Sequence, residues 1–213
     1  MKEKYLALIR DKRFLGALLA VTFAYVTFFT FLRNPLLEEN TASLLGLRYP
    51  GLFFLWQMLV GLALMCGTLA VYHAYGCPKP LRTIGKAFAW IGPPCQAIIY
   101  FVHGEIVEEE FVYPGITYPV HFTASIVLIV AILFSVGIAF FLARRRARRF
   151  NALLGAIGAV AAAMLAIFFT IGKSGLFESA PLLAVLLMLF LVHCTPWFRL
   201  PEEAAGKKTE GKQ

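Results

Sequence analysis

The residues with the most chemical potential in this 213-residue chain lie in the stretch VHGEIVEEEFVYPGITYPVHFTAS, from Val102 to Ser125. It contains four glutamates, two histidines and two Tyr-Pro pairs, and long apolar runs flank it on both sides. His121 comes two residues after Pro119 and is followed by the hydroxyl of Thr123. Because an imidazole exchanges protons near neutral pH, a histidine here can activate a hydroxyl or a water molecule. We predict His121 as a catalytic base.

Several other residues are candidates for the nucleophile or for ligand binding. Residues four apart share one face of a helix, so Ser125 is a candidate nucleophile beside His121, and Thr123 is a second candidate. The hydroxyls of Thr41 and Ser43, or a water molecule, are alternatives. Because one loop joins their segments, His103 and His121 are expected to be neighbours. The predicted binding residues are His103, Glu108, Tyr113, Tyr118 and Trp56.

Long apolar runs must position these residues. The chain is 60% hydrophobic and 15% charged, and its mean hydropathy of +0.74 is typical of a protein that has the bilayer as solvent. A helix needs roughly 20 apolar residues to span the hydrocarbon. Six transmembrane helices are therefore predicted, at about 14–32, 51–73, 87–104, 117–143, 151–172 and 180–198. The fold class is all-α, a polytopic bundle in one domain, residues 1–200, with a disordered cytoplasmic tail at 201–213.

The distribution of charge predicts the orientation of this bundle. With the N-terminus inside, 17 of the 20 Lys and Arg residues fall on the inner side, five of them in the run RRRARR. Because the Lys/Arg bias decides topology, both termini are predicted to be cytoplasmic. The RRRARR run lies in a loop between two spans, so it indicates topology, and no nucleic-acid partner is predicted. The glutamates at 108–110 also fit a simple solvated loop on the outer side.

Two further patterns bear on function and packing. No acidic or basic residue lies deep in a predicted span, which argues against an ion-coupled transporter or a channel. The span at 151–172 carries small residues at Gly155, Gly158 and Ala162. Because small residues let helix backbones approach closely in lipid, this span is predicted to be the most tightly packed helix.

The order IGPPCQAIIYFVHGEIVEEEFVYP…YPVHFT resembles the central part of the androgen-induced protein family. The shared elements are a proline within the third helix, an aromatic pair, a charged turn, Tyr-Pro, and a histidine with a following threonine that opens the fourth helix. The upstream RYPGLFFLWQMLVG is similar to the aromatic start of the family's second helix. The resemblance covers roughly residues 49–125. It implies a six-span hydrolase of fatty-acid esters in the endoplasmic reticulum or plasma membrane, with His121 in the catalytic role.

One departure from the family pattern favours an alternative function. The family has a threonine near the start of its second helix, whereas this chain has no hydroxyl between Phe53 and Gln57. A hydrolase of this kind needs an activated nucleophile, which must then come from elsewhere. The alternative is a non-catalytic relative that serves as a lipid-binding or structural subunit of a membrane complex. Membrane lipids are the predicted partners, and other membrane protein subunits are further candidates.

A haem or metal protein is a further alternative. Four histidines form two predicted layers, with His103 and His121 toward the outer side and His73 and His193 toward the inner side. Imidazole is a usual axial ligand of haem iron. However, His193 lies on the last predicted span, away from the central helices. We therefore predict no cofactor and no metal ligand.

Overall fold

The computed structural model describes residues 11–37, 40–75, 79–107, 110–112 and 115–198. An antiparallel two-stranded hairpin, β1 (Glu105–Val107) and β2 (Glu110–Val112), stands in an otherwise helical structure and pairs Glu105 with Val112. The helices are α1 (Lys12–Thr30), α2 (Ala42–Arg48), α3 (Pro50–Ala74), α4 (Lys79–Phe101), α5 (Thr117–Ala143), α6 (Phe150–Ile171), α7 (Gly175–Cys194) and a 3₁₀ turn at Pro196–Phe198.

Five of these helices, α1, α3, α5, α6 and α7, are long and apolar enough to cross a membrane. The prediction of a helical, multipass membrane protein is confirmed to this extent. The remaining long helix, α4, has 23 residues but is less apolar. It carries Lys79, Arg82 and Lys86 in its first turns and Gln96 further along.

The start of α4 differs from the predicted span, which begins near residue 87. Lys79 opens the helix, and Pro80 follows in the first turn, where proline is tolerated because its missing N–H has no helical acceptor to bond. Charged side chains end an apolar run, but they do not end a helix. In addition, α2 and the β1–β2 hairpin form within segments that the sequence predicts only as loops.

Contacts between helix ends show that successive long helices alternate in direction. At one end, which we call the His121 end, Phe53 at the start of α3 stacks on Phe29 at the end of α1, with ring centroids 6.0 Å apart. At the other end, the Arg-loop end near residues 144–149, the Tyr75 hydroxyl donates to the Phe198 carbonyl at 2.5 Å. The Tyr75 ring also packs edge-on against Phe150 at the start of α6, at 4.8 Å.

Tyr72 joins three helices near the Arg-loop end. Its buried hydroxyl donates to the carbonyl of Ser135 on α5 at 2.7 Å, and the Ser135 hydroxyl donates to the carbonyl of Gly85 on α4 at 3.1 Å. Gly85 has no room for a side chain, because a Cβ there would collide with the Tyr72 hydroxyl. The backbone of α4 therefore lies directly against α3 at this point.

The prediction that residues 151–172 form the most tightly packed helix is wrong. Along α6 the buried residues are Phe150, Leu153 and Met164, whereas α3 is largely buried. A Cβ added at Gly155 or Gly158 would meet no atom within 4 Å. Small residues permit a close approach between helices, but they do not require one, and here they face away from the bundle.

We predict that Gly85→Ala destabilises the protein, whereas Gly155→Ala does not. The added methyl at 85 meets the buried Tyr72 hydroxyl, and such overpacking costs about 1–3 kcal/mol. At 155 the space is open, and alanine is the better helix former. Thermal unfolding of the purified variants in detergent measures the difference. Equal unfolding midpoints for the two variants would contradict the close approach of α4 to α3.

Candidate functional site

A cavity lies at the His121 end, between α2, α3, α4 and α5. Its volume is about 370 Å³, which falls in the size range of small-molecule sites. Most of its wall is apolar or aromatic. Its polar residues are two histidines, one serine and one tyrosine. The lining residues are Ser43, Gly46, Leu47, Pro50, Phe53, Tyr100, Phe101, His103 and His121.

His121 is held in a defined orientation within this wall. It lies in the second turn of α5 and is only 6% exposed. Its Nδ1 is 2.7 Å from the carbonyl oxygen of Val102, just after the end of α4. A carbonyl oxygen can only accept, so Nδ1 carries the hydrogen, and the neutral ring keeps its lone pair on Nε2. That is the tautomer that a base acting through Nε2 requires.

His103 lines the same cavity from the segment that follows α4. Its Nδ1 bonds to the carbonyl oxygen of Gly104 at 2.8 Å, and its side chain is exposed. The structure therefore brings His103 and His121 to one cavity from either side of the hairpin loop. One imidazole is buried and oriented, whereas the other is open to the surroundings.

Ser43 is the residue that the short helix α2 contributes to the cavity wall beside Gly46 and Leu47. Seven residues are too few for a stable helix in isolation, so tertiary contacts must hold α2 in place. At its N-terminus the Ala42 N–H donates to Oε2 of Glu178 on α7 at 2.7 Å. Further along, Gly46 packs against the Phe53 ring so closely that an added Cβ would lie 2.5 Å from it. These two contacts fix the position of Ser43.

The two hydroxyls predicted beside His121 lie outside this cavity wall. The Ser125 hydroxyl donates to the backbone carbonyl of His121, one turn earlier on α5, at 2.9 Å. Thr123 is exposed on the surface of the same helix. Neither side chain lines the cavity. Of the hydroxyls that the sequence leaves open as nucleophiles, Ser43 is the one in the wall, while Thr41 is buried nearby with no hydrogen-bond partner for its hydroxyl among the described residues.

The remaining predicted binding residues take different positions. Trp56 is 5% exposed and packs on Phe53 with ring centroids 5.8 Å apart, one layer behind the cavity wall. Tyr118 is exposed and stacks on Phe122 at 5.8 Å. Glu108 and Tyr113 lie outside the described residues.

The second predicted layer of histidines lies toward the Arg-loop end. His193 on α7 has its Nε2 2.9 Å from the carbonyl oxygen of Gly67 on α3, so it joins these two helices. Within the described part of the chain, no three residues of the types His, Cys, Asp and Glu come together in a way that would hold a metal ion.

Comparison of the chain with protein-family models, with curated proteins and with solved structures gives no match.

Sequence reasoning missed Glu178, the residue that anchors α2. Glu178 lies in the first turn of α7, four residues after the N-cap Ser174, where an acidic residue favours a helix start in any case. Its role depends on Ala42, a residue 136 positions away. A local pattern cannot reveal such a partner, so the only available signal was a single acid at the edge of an apolar run.

We predict that Glu178→Ala loosens α2, because the Ala42 N–H is left without its acceptor. Leaving a buried donor unpaired costs about 1–3 kcal/mol, which is roughly a 5- to 150-fold rise in local opening. Hydrogen–deuterium exchange of peptides covering residues 42–48 measures this opening. Other peptides serve as the internal reference.

Two matched variants separate the hydrogen bond from the charge. Glu178→Gln retains an acceptor oxygen and should keep exchange near that of the parent protein. Lys173→Gln removes only the half-exposed ion pair, at 3.4 Å, and such pairs contribute about 0–1 kcal/mol. If Glu178→Gln loosened α2 as much as Glu178→Ala, the hydrogen bond would not be the anchor.

Proposed function

We propose that the chain is a six-span membrane protein whose cavity at the His121 end binds a lipid and hydrolyses its ester, with His121 as base and Ser43 as nucleophile. The observation that carries this proposal is that an oriented, buried histidine and a serine line one cavity of about 370 Å³. This assignment agrees with the expected place of the chain in the androgen-induced protein family. The nucleophile, however, comes from α2 and not from the start of α3.

The six-span topology is supported by the course of α4. This helix packs along both α3 and α5 and runs between the two ends of the bundle, from Gly85 beside Tyr72 to Tyr100 beside Phe53. The apolar second half of α4 would cross the membrane core, and Lys79, Arg82 and Lys86 would lie toward the inner headgroups. Both termini and the Arg-loop end then face the cytoplasm, as the Lys/Arg bias predicts.

A lipid substrate is supported by the walls of the cavity. Phe53, Tyr100 and Phe101 form its aromatic side, and Phe101 is 74% exposed. Since Phe101 belongs both to the cavity wall and to the surface of the bundle, an acyl chain has a route from the bilayer into the cavity. His103 and His121 supply two imidazoles to the same wall, and a polar ester group would be accommodated beside them.

The proposed reaction has two steps. Ser43 Oγ attacks the ester carbonyl carbon while Nε2 of His121 takes the hydroxyl proton, and this proton then passes to the departing alcohol oxygen. The product is an acyl-serine. In the second step His121 deprotonates a water molecule, which attacks the acyl carbon, and the acid is released as Ser43 regains its proton. The Val102 carbonyl keeps the imidazole oriented through both steps.

Lipid binding without hydrolysis is the second candidate function. The mostly apolar wall, with Gly46, Leu47, Pro50 and Phe53, supports it, because such a wall holds an acyl chain whether or not the ester is cleaved. In that case the chain is a lipid-binding or structural subunit of a membrane complex. The endoplasmic reticulum and the plasma membrane are the proposed compartments for either function.

We expect a fluorophosphonate probe to label Ser43 of the purified, detergent-solubilised protein. His121→Asn is the informative variant, because the asparagine amide can still donate to the Val102 carbonyl but cannot act as base. We expect it to lower the labelling rate by about 100-fold or more, the usual contribution of a general base. Ser43→Ala should abolish labelling, and peptide mapping identifies the modified residue.

Ser125→Ala is the matched control, since its hydroxyl is bonded within α5 and lies outside the cavity wall. It should label like the parent protein. Labelling that persists in Ser43→Ala would contradict the assigned nucleophile. An unlabelled parent protein whose cavity residues react with a photoactivatable fatty-acyl probe would support lipid binding alone.

A further inference from the structure

A second, much smaller cavity lies between α3, α4 and α5, deeper in the bundle than the His121 cavity. Its volume is about 20 Å³, close to what one water molecule needs. Although much of its wall is apolar, several polar groups border it. The residues that matter here are Gly61, Thr68, Ala89, Pro93, Gln96 and Ser135.

Gln96 contributes a polar atom that has no partner among the described residues. The side chain is 4% exposed, and its Nε2 is buried without a hydrogen bond to any of them. The amide lies tightly against α3, because a Cβ at Gly61 would collide with Gln96 Oε1. In hydrocarbon surroundings a buried amide donor needs an acceptor from the protein or from a bound molecule.

Pro93 frees an acceptor beside the same cavity. A helical carbonyl normally bonds to the N–H four residues later, and for Ala89 that residue is Pro93, which has no N–H. Ala89 and Gln96 lie seven residues apart on one face of α4, roughly 10 Å along the axis. The carbonyl points toward the C-terminus and the glutamine side chain leans toward the N-terminus, so the two groups approach each other across the cavity.

We propose that this cavity binds one ordered water molecule that bridges α4 across its proline pair. The water accepts a hydrogen bond from Gln96 Nε2 and donates one to the Ala89 carbonyl oxygen. Two hydrogen bonds are within the range of two to four that buried water molecules make.

The bound water has a structural consequence for the His121 end. It replaces the helical hydrogen bond that Pro93 removes, so α4 continues through the proline pair to Phe101. The last turn of α4 contributes Tyr100 to the cavity wall, and Val102 follows with the carbonyl that orients His121. The bound water thus helps to hold the wall of the larger cavity in place. Its presence does not depend on the function proposed for that cavity.

Hydroxyl-radical footprinting by X-ray radiolysis in ¹⁸O-water tests the proposal in the full chain, reconstituted in lipid nanodiscs. A radical formed from a bound water oxidises the nearest side chains. Met65 lines the small cavity and is the reporter, whereas Met164 is a buried methionine on α6 that does not line it. We expect ¹⁸O on Met65 and none on Met164.

Two substitutions remove one partner of the water each. Gln96→Met keeps the size of the side chain but loses the donor, and Pro93→Ala restores the N–H that occupies the Ala89 carbonyl. Each should lower ¹⁸O incorporation at Met65 by about fivefold or more, the effect of losing one hydrogen bond. Pro93→Ala replaces a helix-interior proline and so should fold even if Gln96→Met does not.

Pro94→Ala is the matched control, because the carbonyl that Pro94 leaves free belongs to Trp90, which does not line the cavity. Its Met65 labelling should equal that of the parent protein. An unlabelled Met65 in the parent protein would overturn the proposal, as would labelling that is unchanged in both Gln96→Met and Pro93→Ala.

Discussion

A bundle in a membrane has to satisfy its polar groups from within, because hydrocarbon offers no hydrogen bonds, and this constraint organises the present structure. Thr27 and Thr30 donate to carbonyls one turn earlier on α1, at 2.9 and 2.7 Å. Between helices, Tyr72 and His193 use main-chain carbonyls of neighbouring helices as their partners. Each such bond satisfies a side chain and fixes the distance between two helices.

The same constraint builds the cavity at the His121 end from distant parts of the chain. The carbonyl of Val102 accepts the hydrogen bond that the buried His121 ring needs, and the same bond orients the ring. Glu178 satisfies the first N–H of α2 and thereby sets the wall that carries Ser43. The geometry of this cavity thus depends on main-chain groups and on α7, and not only on the two histidines that mark it in the sequence.

Apolar length predicts α1, α3, α5, α6 and α7 well, because spanning the hydrocarbon requires long uninterrupted runs. His103 and His121 were predictable neighbours, since a single loop lies between them. The start of α4 at Lys79 was not predictable from hydropathy, which registers charge and not helix continuity. The sequence could not predict the open face at Gly155 either, because a small residue is compatible with a packed and with an unpacked surface. The anchoring of α2 by Glu178 is a tertiary contact that no local pattern encodes.

The length of α5 has a consequence for the depth of the His121 cavity in the membrane. Its 27 residues measure about 40 Å, some 10 Å more than a typical hydrocarbon core. If the excess is shared between the two faces of the bilayer, His121, five residues into the helix, lies close to the boundary between acyl chains and headgroups. Glycerolipids carry their ester linkages at this level, and water reaches it. In the proposed hydrolysis, an imidazole at that depth would meet both reactants without the lipid having to leave its leaflet.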